Sequence, residues 1–218
     1  MQKLREEITD LAKQLIDQPS TRENRAARDA CLSMLETYFQ DAPVAVKKFE
    51  TNDYPARLFL VNDRKDLDLL LYGHVDVVDG HAEQFVGKVD GDRLLGRGAS
   101  DMKGMVAMEA VLFKQLAKKN PHLNIGFLAV TDEEWGNAGG VRSFLNEGYV
   151  PRVTLMPDGG DHFEIVLIEK GVVWFELTAK GDWAHGSRPW LGKNAIEVMM
   201  SALDRIKNSF DLATADDP

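Results

Sequence analysis

A histidine and several acidic residues stand at the ends of apolar runs, where they could bind a metal ion together. His74 and Asp76 follow the apolar run 67–72. Residues two apart in extended backbone project to the same side, so the Asp76 carboxylate can meet the His74 imidazole. A carboxylate in this position commonly orients a histidine that binds a metal and raises its basicity. Taken alone, such a pair is more often a structural hydrogen bond.

Four further acidic residues, in three segments, could likewise be metal ligands or have a purely structural role. Asp101 follows a glycine-rich segment at the start of a predicted helix, where Asp also serves as an N-cap. Glu133 and Glu134 follow another apolar run, and adjacent acids repel one another unless a cation or solvent offsets the cost. A solvated turn is the simpler alternative there. Asp158 begins an Asp-Gly-Gly sequence, which is also a common turn.

The elements around these residues indicate that the residues converge. Continuous apolar runs are typical of strands buried on both faces, and alternation of strands with helices predicts an α/β fold with a mainly parallel sheet flanked by helices. Strands are predicted at 44–49, 56–61, 67–72, 123–130 and 153–156, and helices at 3–18, from about 21 to 39, at 102–118 and at 139–146. Ligands bind at the carboxyl ends of the strands in such sheets, which is where His74, Glu133, Glu134 and Asp158 fall.

One imidazole and several carboxylates suit divalent zinc, cobalt or manganese. Two ions bridged by one carboxylate would account for so many acidic residues. The adjacent pair Glu133 and Glu134 could supply one metal ligand and one general base for a water molecule bound to the metal.

Composition excludes several other classes of protein. The chain has 218 residues and a net charge of −9, and it contains no basic run, so nucleic-acid binding is not expected. No apolar run approaches the roughly 20 residues of a membrane span, and the N-terminus lacks the apolar segment of a signal peptide. The single cysteine, Cys31, fits a reducing compartment. We therefore expect a cytoplasmic protein without a membrane partner.

The chain is predicted to contain two domains, with a boundary near residue 170. Residues 1–170 form the predicted metal-binding catalytic domain. Residues 171–218 begin a second domain, with a strand at 172–178 and a helix at 194–207.

Five stretches together resemble the metallopeptidase M20 family, whose members include deacylases and carboxypeptidases. They span residues 69–197 in the family order, and their joint occurrence is far more specific than any one of them. The stretches are LLLYGHVDVV, LLGRGASDMKGMVA, AVTDEEWG, MPDGG and AHGSRPWLGKNAIE.

The resemblance implies a role for each candidate residue in a site with two divalent metal ions, zinc first among them. His74 corresponds to the terminal ligand of one ion and Asp76 to the carboxylate that orients it. Asp101 corresponds to the bridging ligand, and the family often has a cis peptide after it. Glu133 corresponds to the general base and Glu134 to a ligand of the other ion.

Two more residues take their roles from the family pattern. Asp158 corresponds to the residue that completes the shell of the first ion. The second domain corresponds to an inserted α/β lid that commonly forms a homodimer. His185 corresponds to the lid histidine that reaches the partner's active site and stabilises the oxyanion of the tetrahedral intermediate.

The sequence departs from the family in its length. Family members are much longer, and after the lid they return to the catalytic domain and supply a last histidine ligand for the second ion. No histidine follows His185 in this chain. We therefore expect a fragment with an uncovered sheet edge, impaired metal binding and little or no turnover by itself.

The resemblance implies a metal-dependent hydrolase that cleaves an amide bond of an N-acyl amino acid or small peptide in the intact enzyme. A catalytically silent metal-binding or assembly module is the main alternative. An acidic protein that binds no metal, with its carboxylates in solvated turns, is a further one.

Overall fold

The computed structural model of the chain describes residues 2–136, 139–158, 165–166, 171, 174–207 and 209. The chain divides into two compact units, Met1–Phe163 and Glu164–Pro218, and each is described by itself. In chain order, the helices and strands are α1 (Gln2–Ile16), α2 (Arg25–Tyr38), β1 (Ala45–Thr51), β2 (Tyr54–Leu60), β3 (Asp66–Leu67), β4 (Leu69–His74), β5 (Lys88–Asp90), β6 (Arg93–Leu95), α3 (Lys103–Lys119), β7 (Ile125–Val130), α4 (Gly140–Asn146), β8 (Val150–Pro151), β9 (Thr154–Leu155) and α5 (Ala195–Lys207).

Within the described residues, the main sheet has five strands in the order β1-β2-β7-β4-β9. Strand β2 pairs antiparallel with both β1 and β7, whereas β4 pairs parallel with β7 and β9. Four of the five strands therefore run in one direction and only β2 runs in the other. This arrangement confirms the predicted α/β fold with a mainly parallel sheet.

Both faces of this sheet are buried, which explains the continuous apolar runs. Successive strand residues point to opposite faces, so Leu71 and Phe127 belong to one core cluster while Tyr72 and Leu128 belong to the other. The first cluster also contains apolar residues of α1, α2 and α3, and the second contains Phe144 of α4.

The helix α2 starts later than predicted because a side chain caps it at Asn24. The Oδ1 atom of Asn24 accepts the backbone N–H of Ala27 at 3.1 Å, which satisfies one of the free donors of the first turn. The residues between about 21 and 24 lie in the preceding turn instead of the helix.

The prediction of a buried strand at 153–156 is wrong. Strand β9 has two residues, and among the described residues it pairs only with β4, at the edge of the sheet. Half of the Leu155 surface is exposed (50%), and Val153 and Met156 are exposed as well. An apolar run cannot by itself distinguish a central strand from an edge strand, because the difference depends on a second neighbouring strand.

In the second unit, α5 confirms the predicted helix at 194–207. The predicted strand is not confirmed: residues 174–178 form no strand, and residues 172–173 lie outside the described part of the chain. The identification of this unit as the start of a lid stays a prediction. No helix in the described ranges has both the length and the apolar character needed to cross a bilayer.

Candidate metal centre

Three neighbouring parallel strands bring the predicted ligands to one edge of the sheet. His74 is the last residue of β4. Glu133 and Glu134 lie in a short 3₁₀ turn after β7, and Asp158 lies just beyond β9. Because β4 lies between β7 and β9, the His74 side chain is at the centre of this group.

The His74 ring is fully buried and contacts carboxylates from three segments. Its Nε2 atom lies 3.0 Å from Oδ1 of Asp101, 3.7 Å from Oδ2 of Asp158 and 3.8 Å from Oε2 of Glu133. These acids are 27 or more positions away from His74 in the sequence. These side chains therefore do not lie apart from one another in separate turns or helix caps. They meet around the His74 ring.

Among the described residues, the possible ligand atoms form two groups that share His74. Asp101 and Glu134 complete one group, and Glu133 and Asp158 complete the other. Within each group all ligand atoms lie within 4.8 Å of one another. One imidazole nitrogen with two carboxylate oxygens is a donor set that suits a divalent ion such as zinc, cobalt or manganese.

Asp76 connects two of the segments that carry ligands. The Nδ1 atom of His74 lies 3.0 Å from the backbone oxygen of Asp76 and 3.5 Å from its Oδ1. The Oδ2 atom of Asp76 accepts the backbone N–H of Glu134 at 3.0 Å. Asp76 is completely buried, and its Oδ1 has no hydrogen-bond partner among the described residues. One oxygen of the Asp76 carboxylate thus faces the ring of His74, and the other binds the backbone of Glu134.

Asp101 does not cap α3. Met102 occupies the N-cap position, and the Asp101 carboxylate contacts His74 instead. The peptide bond between Asp101 and Met102 is cis, as the resemblance implied. The preceding loop turns at Gly98, whose φ of +83° is in the left-handed region that favours glycine. A Cβ atom at Gly98 would also lie only 2.8 Å from Cγ1 of Val77.

The electrostatics of the site favour a positive charge beside the His74 ring. Burial alone would lower the pKa of His74, but the hydrogen bond with Asp101 and the nearby carboxylates of Asp158 and Asp76 raise it well above its ordinary value. The hydrogen bond with His74 in turn lowers the pKa of Asp101. A proton is thus stabilised where the carboxylates converge, and a divalent cation fits the same position.

Burial raises the pKa of both Glu133 and Glu134. Neighbouring carboxylates add to this effect, with Asp158 acting on Glu133 and Asp101 acting on Glu134. A carboxylate whose pKa is raised toward neutral pH is better suited to accept and return a proton. Both glutamates share this property, so the role of Glu133 as general base stays a prediction.

The turn that carries these two glutamates is fixed by a residue to which the sequence assigned no role. Asp132 is buried, and its Oδ2 accepts the backbone N–H of Gly139 at 2.6 Å and that of Gly140 at 3.3 Å. Its neighbour Thr131 donates its hydroxyl to the Pro55 carbonyl at 2.7 Å. In the sequence, the only signal for this role of Asp132 is the run of three adjacent acids at 132–134. That run does not show which of the three accepts hydrogen bonds from the backbone.

Lys103 is a second residue that sequence reasoning missed. It is the first residue of α3 and is completely buried. A cation in the first turn opposes the helix macrodipole, and this conflict is the signal that marks the position as unusual.

His185, the remaining predicted site residue, lies in the second unit and is exposed. Its Nδ1 atom is 2.9 Å from the Ser187 hydroxyl and accepts the Ser187 backbone N–H at 3.2 Å. Its role in the site of a partner subunit stays a prediction.

Residues 70–209 match the sequence profile of peptidase family M20/M25/M40. The match covers more than half of the chain and includes every residue of the metal centre. The chain belongs to this family. The M20 chain is 33% identical to a probable carboxypeptidase from Aspergillus terreus over an alignment of 150 residues, and the alignment covers 66% of the chain and 34% of that relative. It thus spans about a third of the length of the curated relatives it matches.

Solved structures agree on the fold of this M20 chain. It resembles an M20 family metallo-carboxypeptidase from Sulfolobus solfataricus with a TM-score of 0.57 and 24% identity, over 71% of the chain and 37% of that protein. It resembles a tripeptidase from Staphylococcus aureus with a TM-score of 0.62 and 17% identity, over 92% of the chain and 56% of that protein. The sheet and its helices therefore have the fold of these M20-type peptidases.

Proposed function

We propose that the chain belongs to a metal-dependent hydrolase that cleaves an amide bond of a small peptide or an N-acyl amino acid. The observation that carries this proposal is the convergence of three carboxylates on Nε2 of His74, at separations of 3.0 to 3.8 Å. Family membership and the names of the relatives, carboxypeptidase and tripeptidase, support a peptide-like substrate.

The ligands of the proposed ions are His74, Asp101, Glu134 and Asp158. Zinc is the first choice. Two ions are proposed, and His74 would bind only one of them, because its Nε2 has a single lone pair and the two groups of donor atoms share it. A divalent ion in such a site supplies Lewis-acid polarisation of a carbonyl group and makes water more acidic. The remaining chemistry is proton transfer and orientation, which the side chains of this chain perform.

Glu133 acts as the general base and then as the general acid. Its carboxylate takes a proton from the attacking water, whose oxygen forms the new bond to the amide carbon. When the carbon–nitrogen bond breaks, Glu133 returns that proton to the leaving nitrogen, so the products are an amine and a carboxylic acid. Asp76 orients His74 and does not contact the reacting atoms.

We also propose that the second unit is part of a lid through which the protein forms a homodimer. His185 of this lid would stabilise the oxyanion in the site of a partner subunit. We also propose that the protein acts in the cytoplasm, since its single cysteine, Cys31, is buried and free.

Metal titration of the chain tests the first step of the proposal. After dialysis against a chelator, zinc is expected to raise the melting temperature of the chain, because a ligand at 100 times its Kd stabilises the folded state by about 2.7 kcal/mol. The His74→Ala variant should show no such rise. Equal rises in both proteins would remove His74 as a ligand, and no rise in the wild-type chain or in the whole protein would favour an acidic protein that binds no metal.

A substrate panel on the whole protein tests the second step. The panel contains dipeptides and N-acyl amino acids with added zinc, cobalt or manganese, and the expected result is metal-dependent release of a free amine. Metal binding without hydrolysis of any member would instead favour a catalytically silent metal-binding or assembly module.

A further inference from the structure

The buried ammonium group of Lys103 joins the start of α3 to the end of α1. Its Nζ atom donates to the backbone oxygens of Leu15, at 2.9 Å, and Gln18, at 2.7 Å. Both partners are neutral carbonyl groups at the C-terminal end of α1, where the helix macrodipole favours a cation. Lys103 lies two residues after Asp101, so this contact fixes the backbone next to a candidate ligand.

The segment after α1 is also bonded to the other side of the metal centre. We define the α1 loop as residues 17–20. Within it, the Ser20 hydroxyl donates to the Val75 carbonyl at 2.5 Å, and the Ser20 carbonyl accepts the Val77 N–H at 3.2 Å. Ser20 is completely buried. Val75 and Val77 flank Asp76 and follow His74, so the α1 loop holds the second segment that carries ligands.

The stem of Lys103 has little room to adopt another conformation. A Cβ atom on Gly98 would lie 3.0 Å from Cδ of Lys103 and 2.8 Å from Cγ1 of Val77. The loop before α3 therefore packs directly on the lysine stem, between Lys103 and the segment that contains Val77. Close packing of this kind restricts the rotamers of the stem and hence the position of Nζ.

Placing a lysine here has two costs that an apolar residue would avoid. An ammonium group must be removed from water, which is expensive unless its hydrogen bonds are replaced. A cation also opposes the macrodipole at the N-terminal end of α3. An apolar side chain would fill the same space without either cost, but it could not bond to the carbonyl groups of Leu15 and Gln18.

We propose that Lys103 and Ser20 are positioning residues of the metal centre. They attach the segment with His74 and the segment with Asp101 to the same α1 loop, and thereby maintain the 3.0 Å separation of His74 Nε2 and Asp101 Oδ1. Ligands held in place before the ion arrives need less rearrangement on binding. This inference rests on the proposed function, because it assumes that these two residues bind a metal ion.

The test compares two lysines of the same helix. Lys114 also lies in α3, and its Nζ donates at 2.7 Å to the carbonyl of Tyr38, the last residue of α2. Lys103→Met and Lys114→Met each remove a contact between α3 and a helix end, but only the first contact adjoins the metal centre. The measurements are the melting temperature, the Co²⁺ affinity by chelator competition, and the visible absorption spectrum of bound Co²⁺.

We expect both variants to melt at lower temperature than the wild type, because each loses a hydrogen-bonded contact. Lys103→Met should bind Co²⁺ about 10- to 100-fold more weakly, the usual effect of removing a group that orients a ligand, and should have an altered Co²⁺ spectrum. Lys114→Met should retain the wild-type affinity and spectrum. Lys103→Arg keeps the charge and the donors, and it should recover part of the lost affinity.

Ser20→Ala tests the other end of the same connection and decides the question if Lys103→Met does not fold. It removes one hydroxyl, and we expect weaker Co²⁺ binding, whereas Ser33→Ala on the exposed face of α2 should have no effect. Wild-type Co²⁺ affinity in Ser20→Ala and in every folded Lys103 variant would overturn the inference. Absence of Co²⁺ binding by the wild-type whole protein would instead remove the proposed function, and the inference with it.

Discussion

The carboxylate of Asp76 is hydrogen-bonded to the backbone N–H of Glu134 at 3.0 Å, across 58 positions of the sequence. This bond joins the end of β4 to the turn after β7. His74, at the end of β4, and Glu134, in the turn, are both candidate ligands. The one buried side chain of Asp76 therefore fixes two parts of the metal centre. Asp76 therefore has a larger structural role than orienting a single histidine.

Replacing Asp76 with alanine is expected to weaken zinc binding about 10- to 100-fold, which is typical for loss of a group that orients a ligand. The variant loses the acceptor for the Glu134 N–H and the carboxylate atom 3.5 Å from Nδ1 of His74. Competition with a zinc chelator measures the affinity. Asp66→Ala is the control, since Asp66 is an exposed acid paired with Arg64. Equal affinities in the two variants would contradict this role of Asp76.

Replacing Glu133 with glutamine should separate catalysis from metal binding. If Glu133 is the general base, kcat of the whole protein should fall by about 100-fold or more, while the zinc content stays at the wild-type value. Glu134→Gln is the matched variant, and there the zinc affinity should fall because a ligand is lost. Steady-state kinetics and metal analysis measure the two effects. Retained turnover in Glu133→Gln would exclude this residue as the base.

Glu109 should make the chain less stable as the pH rises. This buried residue of α3 has no role in the proposed chemistry, and burial raises its pKa from 4.5 to about 9, although a hydrogen bond from the Tyr72 backbone opposes the rise. Between these two values the folded state holds a proton that the unfolded state has released. The free energy of unfolding should therefore fall by up to about 1.4 kcal/mol per pH unit from this group alone.

The Glu109→Gln variant removes this dependence, because glutamine has nearly the same shape and does not ionise. Urea unfolding at several values between about pH 5 and 8 should show a flatter profile than that of the wild type. Glu6→Gln, at an exposed position of α1, is the control and should keep the wild-type slope. Parallel profiles for wild type and Glu109→Gln would show that Glu109 is not held neutral.

Replacing Phe127 with alanine should destabilise the chain by about 3–5 kcal/mol, as is usual for a large aromatic side chain removed from a core. The Phe127 ring is completely buried and lies within 6.2 Å of the rings of Phe39, Phe59 and Phe113. Chemical unfolding measures the loss. Leu112→Ala on the exposed side of α3 should cost much less, and a similar loss in both variants would contradict the assignment of this core.

The positions of the metal-centre residues could be predicted from the sequence because they depend on local patterns. Apolar runs show where strands lie, and residues that directly follow parallel strands share one edge of the sheet. His74, Glu133 and Asp158 meet for this reason. The same patterns could not show that β9 is a short edge strand, because a run of apolar residues carries no information about how many strands lie beside it.

The sequence by itself determined the fold class, the family and the residues that converge at the strand ends. Only the tertiary structure decided which groups hold those residues in place. Asp76 contacts Glu134 across 58 positions, and Lys103 contacts Leu15 across 88. Such contacts depend on how distant segments pack against one another, and sequence periodicity reports only the geometry of neighbouring residues.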